Sequence, residues 1–129
     1  MKIASVLLLV LGFSVVHAED DLQKIIEERE GVLKQLVELT EARHKAGGAS
    51  QEDVFEASMR LLKFKVNVVA DPAEKLSIQE QIVKLAEDNL MHVKKMFEAG
   101  AAVKFAVLKA QDRTLEEKQI LFALKAAKP

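Results

Sequence analysis

Apolar positions recur at threes and fours from Leu22 almost to the end of the chain, and four amphipathic helices account for them. Leu22, Ile25, Ile26, Val32, Leu33, Leu36, Val37 and Leu39 fall on one stripe, the spacing of a single helix face. Glu27, Glu28, Arg29, Glu30 and Lys34 lie mostly off it, as a solvated face. This first helix is expected to start near Asp20 or Asp21, where acids suit the positive end of the helix dipole, and to carry Lys45 in its last turn. Gly47 or Gly48 then closes it, because a residue without a Cβ takes the left-handed conformation freely. Ser50 and Asp53 form a Ser-x-x-acid capping pattern that opens the next helix.

The second helix is expected from about Gln51 to Val69, with Val54, Phe55, Ser58, Leu61, Leu62, Lys65, Val68 and Val69 inward. Residues 62–68 also alternate apolar and polar, a strand signal, but nothing else after residue 18 alternates to pair with such a strand, so the helix reading is kept. Asp71-Pro72-Ala73-Glu74 is the second break: Asp71 caps, and Pro72 suits the first helical turn. The third helix runs to about Glu98, with Leu76, Ile78, Ile82, Val83, Leu85, Ala86, Leu90, Val93, Met96 and Phe97 inward and Asn89 on or near the stripe. Gly100 closes it. The fourth runs from about Val103 to Ala126, with Val107, Leu108, Leu115, Leu121 and Phe122 inward, and the Ala-Lys-Pro tail is expected to fray.

The two glycine turns are related. At an offset of 53 positions, Ala46 meets Ala99, Gly47 meets Gly100, Ala49 meets Ala102 and Val54 meets Val107; Ala57, Arg60, Leu62 and Lys65 meet Ala110, Arg113, Leu115 and Lys118. Self-similarity at a fixed period points to a repeat. The fold class expected is therefore all-α: two duplicated long helical hairpins, about 20–70 and 72–126, in a coiled-coil-like or four-helix arrangement.

Composition agrees with helices. Half of the 129 residues are apolar, yet only six are aromatic, all Phe, with no Trp, Tyr or Cys. A balance of 19 basic against 20 acidic residues gives no basic excess for nucleic acid. The missing cysteines exclude disulfides, thiolate metal sites and cysteine-linked lipid anchors. Residues 1–18 have the charged start (Lys2), apolar middle (Ile3 to Val16) and small-residue end (Val16-His17-Ala18) of a cleaved signal peptide. Export to the periplasm or the extracellular space is expected, with 19–129 as the helical domain. The apolar run is too short to span a bilayer, which takes about 20 residues, and no other stretch is a candidate span.

Candidate chemistry is sparse. His44 and His92 stand alone without a His-Glu-x-x-His pair, and the other serines lack a nucleophile signature. The carboxylates sit in helical charge patterns that i,i+4 pairing and solvation explain. No catalytic, cofactor or metal site is assigned, and the expectation is a non-enzymatic protein.

Both turns resemble the helix ends of TolC-type outer-membrane efflux factors. In that family a small-residue and glycine turn is followed by a polar pair, an acid-Val-Leu step and an Ala-rich helix. Ala46, Gly47, Ser50, Asp53, Val54, Phe55 and Ala57 match here, and Ala99, Gly100, Val107, Leu108 and Ala110 match in the second copy. Asp71-Pro72 joins the second helix directly to the third, so the resemblance covers the helical hairpins without the family's β-barrel strands. It implies that the tips meet the helical hairpins of an adaptor protein, with Gly47, Ala49, Ser50, Asp53, Gly100 and Ala102 as contacts. Self-association of the chain is the other protein partnership expected. The alternatives are a periplasmic holdase-like chaperone or scaffold and a membrane-surface helix protein, the last disfavoured by balanced charge and no Trp.

Overall fold

A computed structural model describes the backbone of residues 2–127 and the side chains of residues 17–127. Among the described residues the secondary structure is helical, without strands: α1 (Lys2–Lys45), α2 (Gln51–Val68), α3 (Pro72–Glu98) and α4 (Lys104–Ala126). The chain divides into two units, residues 1–32 and residues 33–129. The first is the N-terminal part of α1. The second holds the remainder of α1 with α2, α3 and α4.

The expected start near Asp20 is corrected: α1 runs through residues 18–21 without a break. No proline precedes Pro72, and a lone Gly12 costs only about 1 kcal/mol relative to Ala, so nothing local stops the helix there. The signal-peptide segment falls largely on side chains outside the described residues, and so do the last two residues of the tail. Among the described residues, no helix is long and apolar enough to cross a membrane.

Residues 62–68 lie within α2, so the helical reading of that alternating segment holds. Asp71 Oδ2 accepts a hydrogen bond from the Glu74 N–H at 3.1 Å, and Pro72 sits in the first turn of α3. Only three residues separate α2 from α3, so the two run antiparallel.

Close backbone approach joins α3 to α4 and α2 to α3. The core between α2 and α3 is Phe55, Met59, Val66, Ile78, Ile82 and Ala86, flanked by Leu62, Val69 and Leu85. Fully burying each large apolar side chain contributes about 1.5–3 kcal/mol. Between α3 and α4 the seam is built differently. Ala86 faces Thr114 so closely that the Thr114 hydroxyl, 2.8 Å from the Ala110 carbonyl of its own helix, also lies 3.2 Å from the Ala86 carbonyl. Small residues on both helices permit that approach.

That seam corrects the expected inner face of α4. Val107 is buried and Leu121 half-buried, but Leu108, Leu115 and Phe122 are exposed, and Ala110, Thr114 and Glu117 are buried instead. Apolar residues occur on both sides of α4, so periodicity alone allowed two inward faces, and the small-residue face made the closer fit. Glu117 is offset by partners from two helices: Gln79 Nε2 donates to its Oε2 at 2.9 Å and to its backbone carbonyl at 3.1 Å, and Lys63 ion-pairs with its Oε1. A buried carboxylate without such partners would cost several kcal/mol.

The expected inward stripe of α1 is also corrected. Leu33 is buried, and Ile26 and Val37 are half-buried, but Leu22, Ile25, Val32, Leu36 and Leu39 are exposed. On α3, Met96 and Phe97 are exposed as well.

Candidate partner-binding site at the helix turns

Two turns carry the residues predicted to contact a partner. At the first, Gly47 has φ +80° and is exposed. The N–H groups of Ala46, Gly47 and Gly48 donate to the carbonyls of Ala42, His44 and Arg43 at 3.1, 3.0 and 2.8 Å. At the second, Gly100 has φ +75°, and the N–H groups of Ala99, Gly100 and Ala101 donate to Lys95, Phe97 and Met96 at 3.0, 3.0 and 2.8 Å. Donors and acceptors correspond one for one at the 53-residue offset. Both turns close a helix by the bond pair in which the residue after a left-handed glycine reaches back to the last turn.

The starts of α2 and α4 differ as their sequences do. Ser50 Oγ accepts from the Asp53 N–H at 3.0 Å, and Asp53 Oδ2 accepts from the Ser50 N–H at 2.8 Å, a reciprocal capping box. Those hydrogen bonds to Ser50, and secondarily the nearby Arg43 guanidinium, hold the Asp53 carboxyl below its ordinary pKa. Val103 begins α4 with no side-chain cap.

Two clamps at the first turn were not legible as site residues. Arg43 donates to the Gly48 carbonyl at 3.0 Å, and His44 Nδ1 lies 2.8 Å from the Ala49 carbonyl, a hydrogen bond that needs the proton on Nδ1. His44, read from sequence as solitary, thus ties the turn. Only the folded turn brings residues five apart across a reversal. At the second turn the equivalents are Met96 and Phe97, with the Lys104 ammonium 5.7 Å from the Phe97 ring centroid. The first turn is polar and clamped; the second exposes Phe97, Val103 and Phe105.

Below each turn lies a groove. One, of about 320 Å³, is lined by Leu33, Leu36, Thr40, Ala49, Asp53 and Arg60 among others. The other, of about 350 Å³, is lined by Asn89, Val93, Ala106, Lys109, Ala110 and Arg113, with Phe105 and Glu52. Leu36, Thr40, Asp53, Glu56, Ala57 and Arg60 of the first are related by 53 positions to Asn89, Val93, Ala106, Lys109, Ala110 and Arg113 of the second. The charge at one pair is reversed, Glu56 against Lys109. Glu56 also pairs with Arg113, whose guanidinium lies 5.0 Å from the Phe55 ring.

Of the predicted contacts, Ala49 lines the first groove, and Gly47 and Gly100 lie exposed at the turns. Ser50 and Asp53 are engaged with each other. Ala102, the counterpart of Ala49, is half-buried and outside the lining of the second groove. Asn89, which lines that groove, is buried, and its Oδ1 has no hydrogen-bond partner. Among the described residues no three His, Cys, Asp or Glu side chains gather as a metal site. Compared with family models, with curated proteins and with solved structures, the chain matches none.

Proposed function

We propose that this is an exported, non-enzymatic protein made of two copies of one helical hairpin, whose turns bind partner helices in an envelope or efflux assembly of the TolC type. Residues 1–18 are read as its export signal and the helical hairpins of an adaptor as its partner. One observation carries the reading: two exposed turns share the same three backbone hydrogen bonds and the same left-handed glycine, each above a groove at equivalent positions. A glycine at the apex lets a partner backbone approach closely. A groove lined by both apolar and charged side chains takes an apolar side chain of a docking helix and orients its polar neighbours.

The test is photo-crosslinking in the producing cell, with the probe at Ala49 or Ala102 and at exposed Lys84 on α3 as control. The turn positions are expected to yield a discrete protein adduct that Lys84 does not. Gly47→Val and Asp53→Lys should each reduce it about 10-fold or more, in the range of anchor residues at an interface, with helicity unchanged by circular dichroism. Adducts of undiminished yield in both variants would sink the reading.

A further inference from the structure

The contact between α2 and α3 is made once inside the chain, and both of its halves occur a second time, largely uncovered. The half on α2 is Phe55, Met59, Leu62 and Val66, which pack in the core. Its equivalents at 53 positions are Leu108, Asp112, Leu115 and Gln119 on α4, all exposed, Leu108 at 52% and Leu115 at 58%. The half on α3 is Ile78, Ile82, Leu85 and Ala86, with Asn89 in a pocket shared with Phe55. Of its equivalents on α1, Ile25, Arg29, Val32 and Leu36 are exposed, Ile25 at 60% and Val32 at 51%, and Leu33, the equivalent of Ala86 at the edge shared with the other seam, is buried.

The other seam behaves differently. Val107, Ala110, Thr114 and Glu117 are buried, and their equivalents Val54, Ala57, Leu61 and Phe64 are buried or half-buried. Leu33 and Ala86, another equivalent pair, are both buried. The faces of α1 and α4 whose counterparts meet each other within the chain are therefore exposed, whereas the counterparts of the α3–α4 seam on α2 are covered.

We propose that a second copy of this chain covers these faces, with α4 of one molecule packing on α1 of the next as α2 packs on α3. The contact is head-to-tail, so it closes into a ring or extends as a filament according to the rotation between copies. One pair of opposite charges fits this register. Met59 and Ile82 are the most deeply buried apolar side chains of the inner contact. Their equivalents are Asp112 and Arg29, so opposite charges take the central places of the outer contact. The Glu56–Arg113 pair is replaced by Lys109 and Arg60, two like charges, so Asp112 and Arg29 are the opposite charges that set this register. This surface meets the first groove at Leu36; it does not depend on the reading of the turns, because self-association is measured on the protein alone.

Sedimentation equilibrium on the protein obtained by expressing the full chain, its N-terminus read by intact mass, decides the matter. Wild type is expected to self-associate. Leu108→Glu/Leu115→Glu spoils the α4 face, and Val32→Glu/Leu36→Glu spoils the α1 face. Each variant alone should associate about 10- to 100-fold more weakly, the scale of losing buried leucine contacts. An equimolar mixture should form a one-to-one dimer, because each variant keeps the face the other lacks. A monomeric wild type, undiminished association of either variant alone, or a mixture that stays monomeric would overturn the proposal. Asp112→Arg and Arg29→Asp provide a second reading on surface positions that leave the core untouched: each alone should weaken association roughly 5-fold, and the chain carrying both should recover it. No recovery would count equally against the register.

Discussion

At the residue scale, the first turn is set by paired polar groups. Ser50 and Asp53 satisfy each other's backbone N–H, and Arg43 and His44 tie the carbonyls of Gly48 and Ala49. The Asp53 pKa is lowered by bonds available only in the folded turn. Its contribution to stability is therefore fully present above the ordinary carboxylate pKa and is lost as pH falls through the lowered folded value. A carboxyl-carbon NMR titration should place Asp53 below the ordinary carboxylate range, and Ser50→Pro, which removes the donating N–H at a backbone φ of −82° close to proline's own, should move it back up. An Asp53 midpoint unchanged by Ser50→Pro would refute this origin. The cap was legible in the sequence because its two members lie three residues apart. The clamps were not, because nothing in the order of residues says that Arg43 will face Gly48 across a chain reversal.

At the scale of elements, positions related by 53 residues have the same helical setting and different neighbours. Phe55 is buried on α2 and its equivalent Leu108 is exposed on α4. In the monomer, Phe55→Ala should lower the unfolding free energy by about 3–5 kcal/mol. Leu108→Ala should change it by less than about 0.5 kcal/mol, as for a surface position. Denaturant unfolding at concentrations low enough to keep the chain monomeric measures both, and equal losses would contradict the assignment of faces. Helix ends were readable almost to the residue from Gly47, Ser50, Asp71, Pro72 and Gly100. The inward face of α4 was not. Val107, Leu108, Leu115, Leu121 and Phe122 span more than one face, and the choice went to the side where Ala110 and Thr114 let α3 come close.

At the scale of the whole molecule, burial is unevenly distributed. Residues 17–32 hold no buried side chain, whereas residues 78–89 hold six: Ile78, Gln79, Ile82, Val83, Ala86 and Asn89. Amide protection follows the packing that must be lost before a helix opens. Hydrogen exchange in the monomer should therefore be faster over residues 20–32 than over residues 78–89, by about 10-fold or more for an opening cost lower by about 1.4 kcal/mol. Self-association through α1 would slow exchange in the first segment as protein concentration rises. A fast segment that does not respond would leave α1 uncovered and count against the head-to-tail contact.

The all-α class, the number of helices after residue 20, the breaks between them and the 53-residue correspondence of the turns were determined by the sequence alone, because propensity, capping and glycine conformation act within a few residues. Three features were decided only in the tertiary structure: which side of α4 turns inward, the burial of Glu117 between Gln79 and Lys63, and the exposure of α1 and α4 faces whose equivalents on α3 and α2 are covered. Apolar periodicity states that a face is fit for burial; whether a neighbour is there to bury it depends on how the helices pack.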